Sequence, residues 1–347
     1  MAAPLMLADV LPNIQHTIDG TGFLFGAGTS LEAGYPLMKE LTGQVVGALL
    51  PDERDSLDAV LNAAGTSYDS ATASPNIEQL SDLVIAHVVN TGDLRATLLE
   101  QRLRDLIREV LLSVTSPKLD VHCRFLELLK SRSFGMAGCV WIFTTNYDTL
   151  FESAASQVGI PLENGFAGTF DRYFCPTSFT SLRGTASNRS FVQSNELTIK
   201  LVKLHGSLSW YEQGGRIYER HPSGIPSTPR RLMVLPRCKK VIDTLQPPYD
   251  SLFSVTSRVL GTDCRYLVSC GFGYCDEHLT QQLLVPVLSA SKCRLFIFSD
   301  QEPSGISAFR TLPCVSGAFS THSIRQGTLQ PDATEFWKFS RFVELFV

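Results

Sequence analysis

The chain has 347 residues, 44% of them hydrophobic and 18% charged, a core-forming composition well outside the low-hydrophobicity, high-charge class that stays disordered. Its 30 basic residues against 34 acidic ones give a net charge of −4, so gripping a phosphate backbone is not the bulk electrostatic design and no direct nucleic-acid binding is expected. There is no run of about 18 apolar residues, and Met1–Asp19 lacks a basic leader followed by an apolar stretch, so neither a membrane span nor a signal peptide is expected. Nine cysteines lie between Cys123 and Cys314 with no C-x-x-C pair; the closest two, Cys270 and Cys275, are separated by four residues. A zinc site needs thiolates at tighter spacing, so the cysteines read as reduced core residues of a cytoplasmic protein that holds no metal.

In chain order, the first strong element is the short apolar run Phe23-Leu24-Phe25, a buried strand feeding the turn Gly26-Ala27-Gly28. Pro36 suits the opening turn of a helix over 37–50. Helical spacing then recurs at Leu80, Leu83, Val84 and Val88, at Leu99, Leu103, Leu106, Ile107, Val110 and Leu111, and at Leu119, Phe125, Leu126 and Leu129. A Ser/Thr/Ala-rich loop over 65–75 interrupts the pattern, and the section 37–137 reads as a helical insertion packed on a sheet.

Apolar runs without polar alternation return at 139–144, 199–204, 232–235, 266–270 and 295–298, as expected of strands covered on both faces. A helix over 276–288 follows one of them, while 166–194 and 214–229 are rich in Gly, Ser and Pro and read as long loops. Strand–helix alternation with buried strands predicts an α/β fold, a Rossmann-like open parallel sheet with helices on both faces, built as one domain around the insertion. The aromatic segment Phe336, Trp337, Phe339, Phe342 and Phe346 reads as a terminal helix docked on the core, with an assembly interface as the alternative.

Ligands of such sheets bind at the carboxyl ends of the strands. Four clusters fall at predicted strand ends. The first, Gly26-Ala27-Gly28-Thr29-Ser30 through Gly34, has glycines that would let backbone approach a phosphate, with a following helix start to supply free N–H groups. It is neither the dinucleotide fingerprint, since Leu31 stands where Gly or Ala would, nor a P-loop, since Lys39 lies beyond the turn; a plain strand–helix turn is the alternative. The second is Thr144-Thr145-Asn146-Tyr147-Asp148, which can aim an amide and a carboxylate into one cleft or merely cap the next helix.

The third, Lys203-Leu204-His205-Gly206-Ser207, sets a proton-transfer residue at a strand end with Gly206 leaving room beside the ring; a structural histidine bonded to backbone is the alternative. In the fourth, Gly271-Phe272-Gly273-Tyr274-Cys275-Asp276-Glu277-His278, the glycines again suggest close approach to a ligand. Asp276 and Glu277 read as structural acids of a first helical turn.

Gly-Ala-Gly-Thr-Ser-x-x-Ala-Gly-Tyr-Pro at 26–36, Thr-Thr-Asn-Tyr-Asp at 144–148 and Lys-Leu-His-Gly-Ser at 203–207 together resemble the sirtuin-like domain family. With the late Gly-Phe-Gly-x-x-Asp-Glu-His, the set is most similar to the bacterial antiphage NADase branch. The resemblance implies an NAD+ site in which Gly26, Ala27, Gly28, Ser30 and Gly34 lie near the phosphates and Thr145 and Gly206 line the pocket. It makes Asn146 the holder of ribose and water, Asp148 the partner of the nicotinamide amide and His205 the base, with Gly271 and Phe272 near the adenosine.

The implied reaction is hydrolysis of NAD+, as substrate, to ADP-ribose and nicotinamide by an abortive-infection effector. The implied partners are further copies of the chain in a homo-oligomer, or a separately encoded protein such as a HerA-type ATPase. Deacylases of the family carry Asp-Phe-Arg after their Gly-x-Pro and a zinc module on paired C-x-x-C; here Pro36 is followed by Leu37-Met38-Lys39 and no such pairs exist. An NAD-dependent protein deacylase and a non-catalytic NAD or ADP-ribose sensor are the competing expectations, and a pure sensor has no need of both Asn146 and His205.

Overall fold

A computed structural model of the chain describes residues 18–133, 138–187, 190–225, 230–233 and 247–347. Strand β1 (Thr21–Phe25) is followed by five helices, α1 (Met38–Gly47), α2 (Pro51–Ala63), α3 (Ile77–Thr91), α4 (Leu94–Leu112) and α5 (Asp120–Arg132). Next come β2 (Cys139–Thr144), α6 (Leu150–Val158), the short strands β3 (Leu162–Glu163), β4 (Phe166–Ala167) and β5 (Arg172–Phe174), and a hairpin of β6 (Gly184–Ser187) and β7 (Ser190–Gln193). The chain continues through β8 (Thr198–Lys203), β9 (Gly206–Gln213), β10 (Arg216–Glu219), β11 (Arg230–Met233), α7 (Tyr249–Val259) and β12 (Tyr266–Cys270). After a helical segment over 277–289 it closes with β13 (Arg294–Phe298), β14 (Val315–Ala318), β15 (Ser323–Arg325), β16 (Thr328–Gln330) and α8 (Phe339–Glu344).

The main sheet has the order β16-β15-β14-β13-β12-β1-β2-β8-β3 and is parallel except for the antiparallel edge formed by β15 and β16. Alternate residues of its strands feed two separate cores, because successive side chains of a strand point to opposite faces. On one face Phe23, Phe25, Val140, Ile142, Ile199 and Leu201 pack under α5, α6 and α8. On the other, Leu24, Trp141, Phe143 and Val202 meet α7, the 277–289 segment and the second sheet. Helices on both faces of an open, mostly parallel sheet are the expected Rossmann-like arrangement.

Helices α1 to α4 bury their apolar stripes in a third core of their own, closed at one side by Tyr35, Leu150, Leu208 and Met233. Helix α5 behaves differently: Phe125, Leu126 and Leu129 belong to the core under the main sheet. The helix expected over 37–50 is present as α1, Met38–Gly47, and ends three residues short of the expected bound, ahead of Pro51, which opens α2. Residues 134–137 of the expected insertion lie outside the described residues.

Four expectations are corrected or refined. The run 232–235 is not a strand of the parallel sheet: Arg230–Met233 pairs antiparallel with β9 in a second sheet of order β11-β9-β10-β5-β4, and Val234 and Leu235 lie outside the described residues. The stretches 166–194 and 214–229 are not simply loops, since they carry β4 to β7 and β10. These strands are short, and every residue of β6 and β7 is exposed, so their polar, glycine-rich composition hides them from a hydrophobicity reading. The helix over 276–288 is interrupted by a π turn, Thr280–Leu284, just ahead of Pro286. None of the described cysteines is in a disulfide, but not all are core residues, because Cys275 is exposed.

The terminal aromatic segment docks on the core. Phe342 meets Phe25 at 6.0 Å and Phe125 at 6.1 Å, and Phe346 meets Phe23 at 5.8 Å between ring centroids. Ser340, just inside α8, donates through its backbone N (2.7 Å) and its hydroxyl (2.6 Å) to the Glu32 carboxylate in the loop after β1.

Beneath that loop His122 of α5 is 1% exposed, with Phe151 at 4.9 Å and Phe339 at 4.8 Å, and neither ring nitrogen has a hydrogen-bond partner among the described residues. Burial pulls its pKa from 6.5 down to about 4, against the opposing pull of Asp148 and Glu32. The folded protein therefore keeps this ring neutral while the unfolded chain protonates it below 6.5. This contribution to stability is complete above that value and is lost as pH falls toward about 4. Chemical denaturation across that window should show His122→Phe losing less stability on acidification than the parent chain.

Candidate active site

The four sequence clusters begin at one height. Phe25 pairs with Thr144 on one side and Cys270 on the other, and Thr144 pairs with Lys203, so β8, β2, β1 and β12 all end in a single register row. The chain leaves β1 toward β2 and β8 and returns to β12 on the opposite side of β1. Strand order therefore reverses between β1 and β12, the place where open α/β sheets form a crevice.

At that reversal the two glycine loops lie against each other. Gly26 N donates to Cys270 O (3.3 Å) and Gly28 N to Gly271 O (3.0 Å). A Cβ on Gly26 would sit 2.6 Å from Gly271 O, one on Gly28 2.7 Å from Gly271 Cα, and one on Gly271 2.7 Å from Gly28 Cα. Gly271 also holds φ at +63°, which disfavours any side chain. Backbone-to-backbone contact between loops thus demands these glycines, a reason the sequence reading had assigned to ligand approach.

No helix starts directly behind the turn either. Ala27–Thr29 is a 3-10 turn in which Gly28 N donates to the facing Gly271 O, Thr29 N to Gly26 O and the following Ser30 N to Ala27 O, and α1 begins only at Met38. The expected row of free helix N–H groups is absent there. Ala27 and Gly34 are exposed.

Asn146 ties the β1 loop to the β2 loop. Its Nδ2 donates to Gly26 O (3.0 Å), Thr29 Oγ1 (3.2 Å) and Ser30 Oγ (2.9 Å), and its backbone N donates to Thr144 Oγ1 (3.1 Å). Ser30 Oγ in turn donates to Asp148 Oδ2 (2.7 Å), while Asp148 Oδ1 accepts from Leu150 N (3.1 Å). Asp148 thus accepts from the first residue of α6 with one oxygen and holds the Gly loop with the other. Asn146, Asp148 and Ser30 are all buried, and Thr145 is half-buried with its N donating to Phe25 O at 3.2 Å. All four of the Asn146 bonds use its nitrogens, and none engages its Oδ1.

Lys203, 1% exposed, was not singled out from sequence as a site residue. Its Nζ donates to the Asp148 carbonyl and pairs with Glu152 Oε1 at 3.1 Å. A buried ammonium needs such partners, and here they fix the backbone that carries Asp148. Burial pushes the Glu152 carboxyl up, against the pull of Lys203, and burial likewise pushes the Tyr147 hydroxyl well above its ordinary range. The 203–208 segment is further tied to the β2 loop by Leu204 N to Thr144 O (2.8 Å), Leu208 N to Tyr147 O (2.9 Å) and Ser207 Oγ to Tyr147 O (3.3 Å).

His205 follows β8 by two residues and is 5% exposed. Its Nε2 lies 2.8 Å from Asp276 Oδ2, so a carboxylate faces this nitrogen. Asp276 Oδ1 also accepts from Leu279 N (3.0 Å), the capping role expected of it, whereas Glu277 is exposed. The contact with His205 is the feature of the candidate site that sequence reasoning missed. A period-2 reading of the loop would have found it, because Phe272, Tyr274 and Asp276 point inward while Gly273, Cys275 and Glu277 point out.

Two expected ligand contacts change character. The Phe272 ring is buried against Tyr274 at 4.7 Å, so only its backbone lies along the loop. Gly206 holds φ at +87°, and a Cβ there would strike the Leu232 carbonyl and come within 2.9 Å of Tyr249 Oη, so the space beside it belongs to the turn from β8 into β9. The described residues hold no group of three or more His, Cys, Asp or Glu placed to bind a metal ion. They include no helix long and apolar enough to cross a membrane.

Residues 140–308, just under half of the chain, match the family model of the SIR2-like domain. That stretch holds the clusters at 144–148, 203–207 and 271–278; the Gly26 loop lies outside it but is bonded to it through Asn146 and Gly271. Among solved structures, the chain is similar to a triple mutant of a Sir2 homologue in complex with 2′-O-acetyl ADP ribose. The identity is 14%, the TM-score 0.41, and the match covers 96% of this chain and 95% of that one. No curated protein sequence matches the chain.

The loop contact makes a sharp expectation. Gly28→Ala puts a methyl group into the Gly271 backbone, and overpacking of this kind costs about 1–3 kcal/mol. Thermal denaturation of Gly28→Ala should show that loss, while Gly43→Ala, where nothing lies within 4 Å of the new Cβ, should not be destabilised.

Proposed function

We propose that the chain hydrolyses NAD+ to ADP-ribose and nicotinamide. The observation that carries this reading is the convergence, at one strand-end row beside the order reversal, of Asn146, Asp148 and His205 with the Gly26–Ser30 loop. In the reaction the bond between ribose C1′ and the nicotinamide nitrogen breaks, and its electron pair neutralises the pyridinium ring. A leaving group that departs in this way needs no general acid. Water oxygen bonds to C1′, and the proton it loses passes to the His205 imidazole and then to solvent.

The protein residues have defined parts in this scheme. Asn146, with its amide nitrogen taken up by the loop, offers Oδ1 to a ribose hydroxyl or to the attacking water. Asp148 holds the nicotinamide amide, and the 26–34 loop with Ser30 lies along the phosphates. Fixing such groups in place supplies alignment, and the base contributes roughly 10²–10⁴-fold.

The motif resemblance and the SIR2-like match over 140–308 support the same reading. On the motifs alone we place the protein in the cytoplasm as an effector of antiphage abortive infection, depleting cellular NAD+. In that setting it works as a homo-oligomer or with a separately encoded protein such as a HerA-type ATPase.

The test is nicotinamide release by the purified chain, alone and with the product of a neighbouring gene. His205→Ala and Asn146→Ala should each lower turnover by at least about 10²-fold while both remain folded. Undiminished release in both variants refutes the assignment. Acetylated ADP-ribose formed from an acetyl-lysine peptide would instead mark a deacylase, and NAD-dependent thermal stabilisation without nicotinamide release a sensor.

A further inference from the structure

The carboxylate beside the proposed base has a geometry that decides which of its nitrogens can act. Asp276 Oδ2 lies 2.8 Å from His205 Nε2, with both side chains nearly buried, at 6% and 5% exposure. A carboxylate only accepts hydrogen bonds, so the ring nitrogen facing it must be the protonated one. In the neutral ring the lone pair then sits on Nδ1. We propose that Asp276 is a positioning residue that holds His205 as the Nε2–H tautomer, so that Nδ1 is the basic atom of the site. The claim that this atom takes the proton from water rests on the NAD+ hydrolysis reading; the tautomer itself does not.

The surroundings make Asp276 a rigid support. Its second oxygen accepts from Leu279 N and so belongs to the first turn of the 277–289 segment. The loop leading to it is fixed on the inner side by Phe272 and Tyr274, buried at 5% and 1% exposure, with Tyr274 held at φ +55° and packed on Phe309. A non-glycine residue in the left-handed region is costly unless its neighbours enforce it. Gly305 is one of those neighbours, since a Cβ there would collide with the Tyr274 carbonyl. The strained turn therefore sets where the Asp276 carboxylate meets the imidazole.

The variant Asp276→Asn separates the two jobs of the residue. Asparagine caps a helix as well as aspartate, so the fold is retained. Its amide can offer N–H to the ring, which stabilises the opposite tautomer with the lone pair on Nε2. The same change beneath the imidazole of a serine-protease triad lowers kcat by about 10⁴-fold.

The experiment reads ring-nitrogen chemical shifts of 15N-labelled histidine, with the His205 signals assigned by their loss in His205→Gln, alongside steady-state nicotinamide release. The parent chain should show a protonated Nε2 and an unprotonated Nδ1. Asp276→Asn should shift the population toward Nδ1–H and lose kcat by at least about 10²-fold with KM little changed. The exposed neighbour Glu277→Gln should alter neither.

A parent spectrum with the proton on Nδ1 overturns the proposal, and needs no variant to do so. So does Asp276→Asn with an unchanged tautomer, or a changed tautomer with intact kcat. If the tautomers behave as expected and even the parent chain releases no nicotinamide, the positioning of His205 stands and the hydrolase reading fails.

Discussion

The backbone contact between the loop after β1 and the loop after β12 is the constraint on which the site depends. These two strands are neighbours from which the chain runs in opposite directions, so nothing in the helices joins their ends. Three glycines let the loops touch, Gly26 and Gly28 on one side and Gly271 on the other, with Gly28 N bonded to Gly271 O. Asn146 fastens the same loop to β2, and Asp148 completes the link through Ser30. The Gly26–Ser30 loop is thereby held from both sides, and the crevice edge is a fixed object rather than a set of independent turns.

Much of this was legible in the sequence where a residue has one job. The buried parallel strands announced themselves as apolar runs, and the run 139–144 coincides with β2 and 266–270 with β12. The candidate site residues stood out for the same reason, since polar residues begin where the apolar run stops. The antiparallel second sheet was not. Its strand β9 alternates serines with larger side chains, all buried as far as Tyr211, because a polar network reaching Glu219 and the Tyr147 carbonyl satisfies Ser207 and Ser209. A pattern reading gives such serines to a loop, and only the three-dimensional partners reveal the strand.

Residues with two jobs were the hardest to read. Asp276 looked like a first-turn acid, and it is one, yet its other oxygen faces His205. Lys203 looked like the polar end of a strand, while its ammonium is buried against the Asp148 carbonyl and Glu152. The glycines pointed to a ligand for a sound physical reason, freedom from a Cβ, but that freedom serves a neighbouring backbone just as well. Sequence gives the property of a residue; which neighbour uses the property is decided by topology.

The two hydrogen bonds from Ser340 to Glu32 connect the last helix to the loop that edges the crevice. Around them Phe339, Phe342 and Phe346 stack into the aromatic bed under β1, with His122 filling the gap between Phe339 and Phe151. The tail of the protein is thus a strut for its front door. Pulling α8 from its seat would free Glu32 and uncover the underside of the turn, so the far end of the chain sets how firmly the crevice is framed.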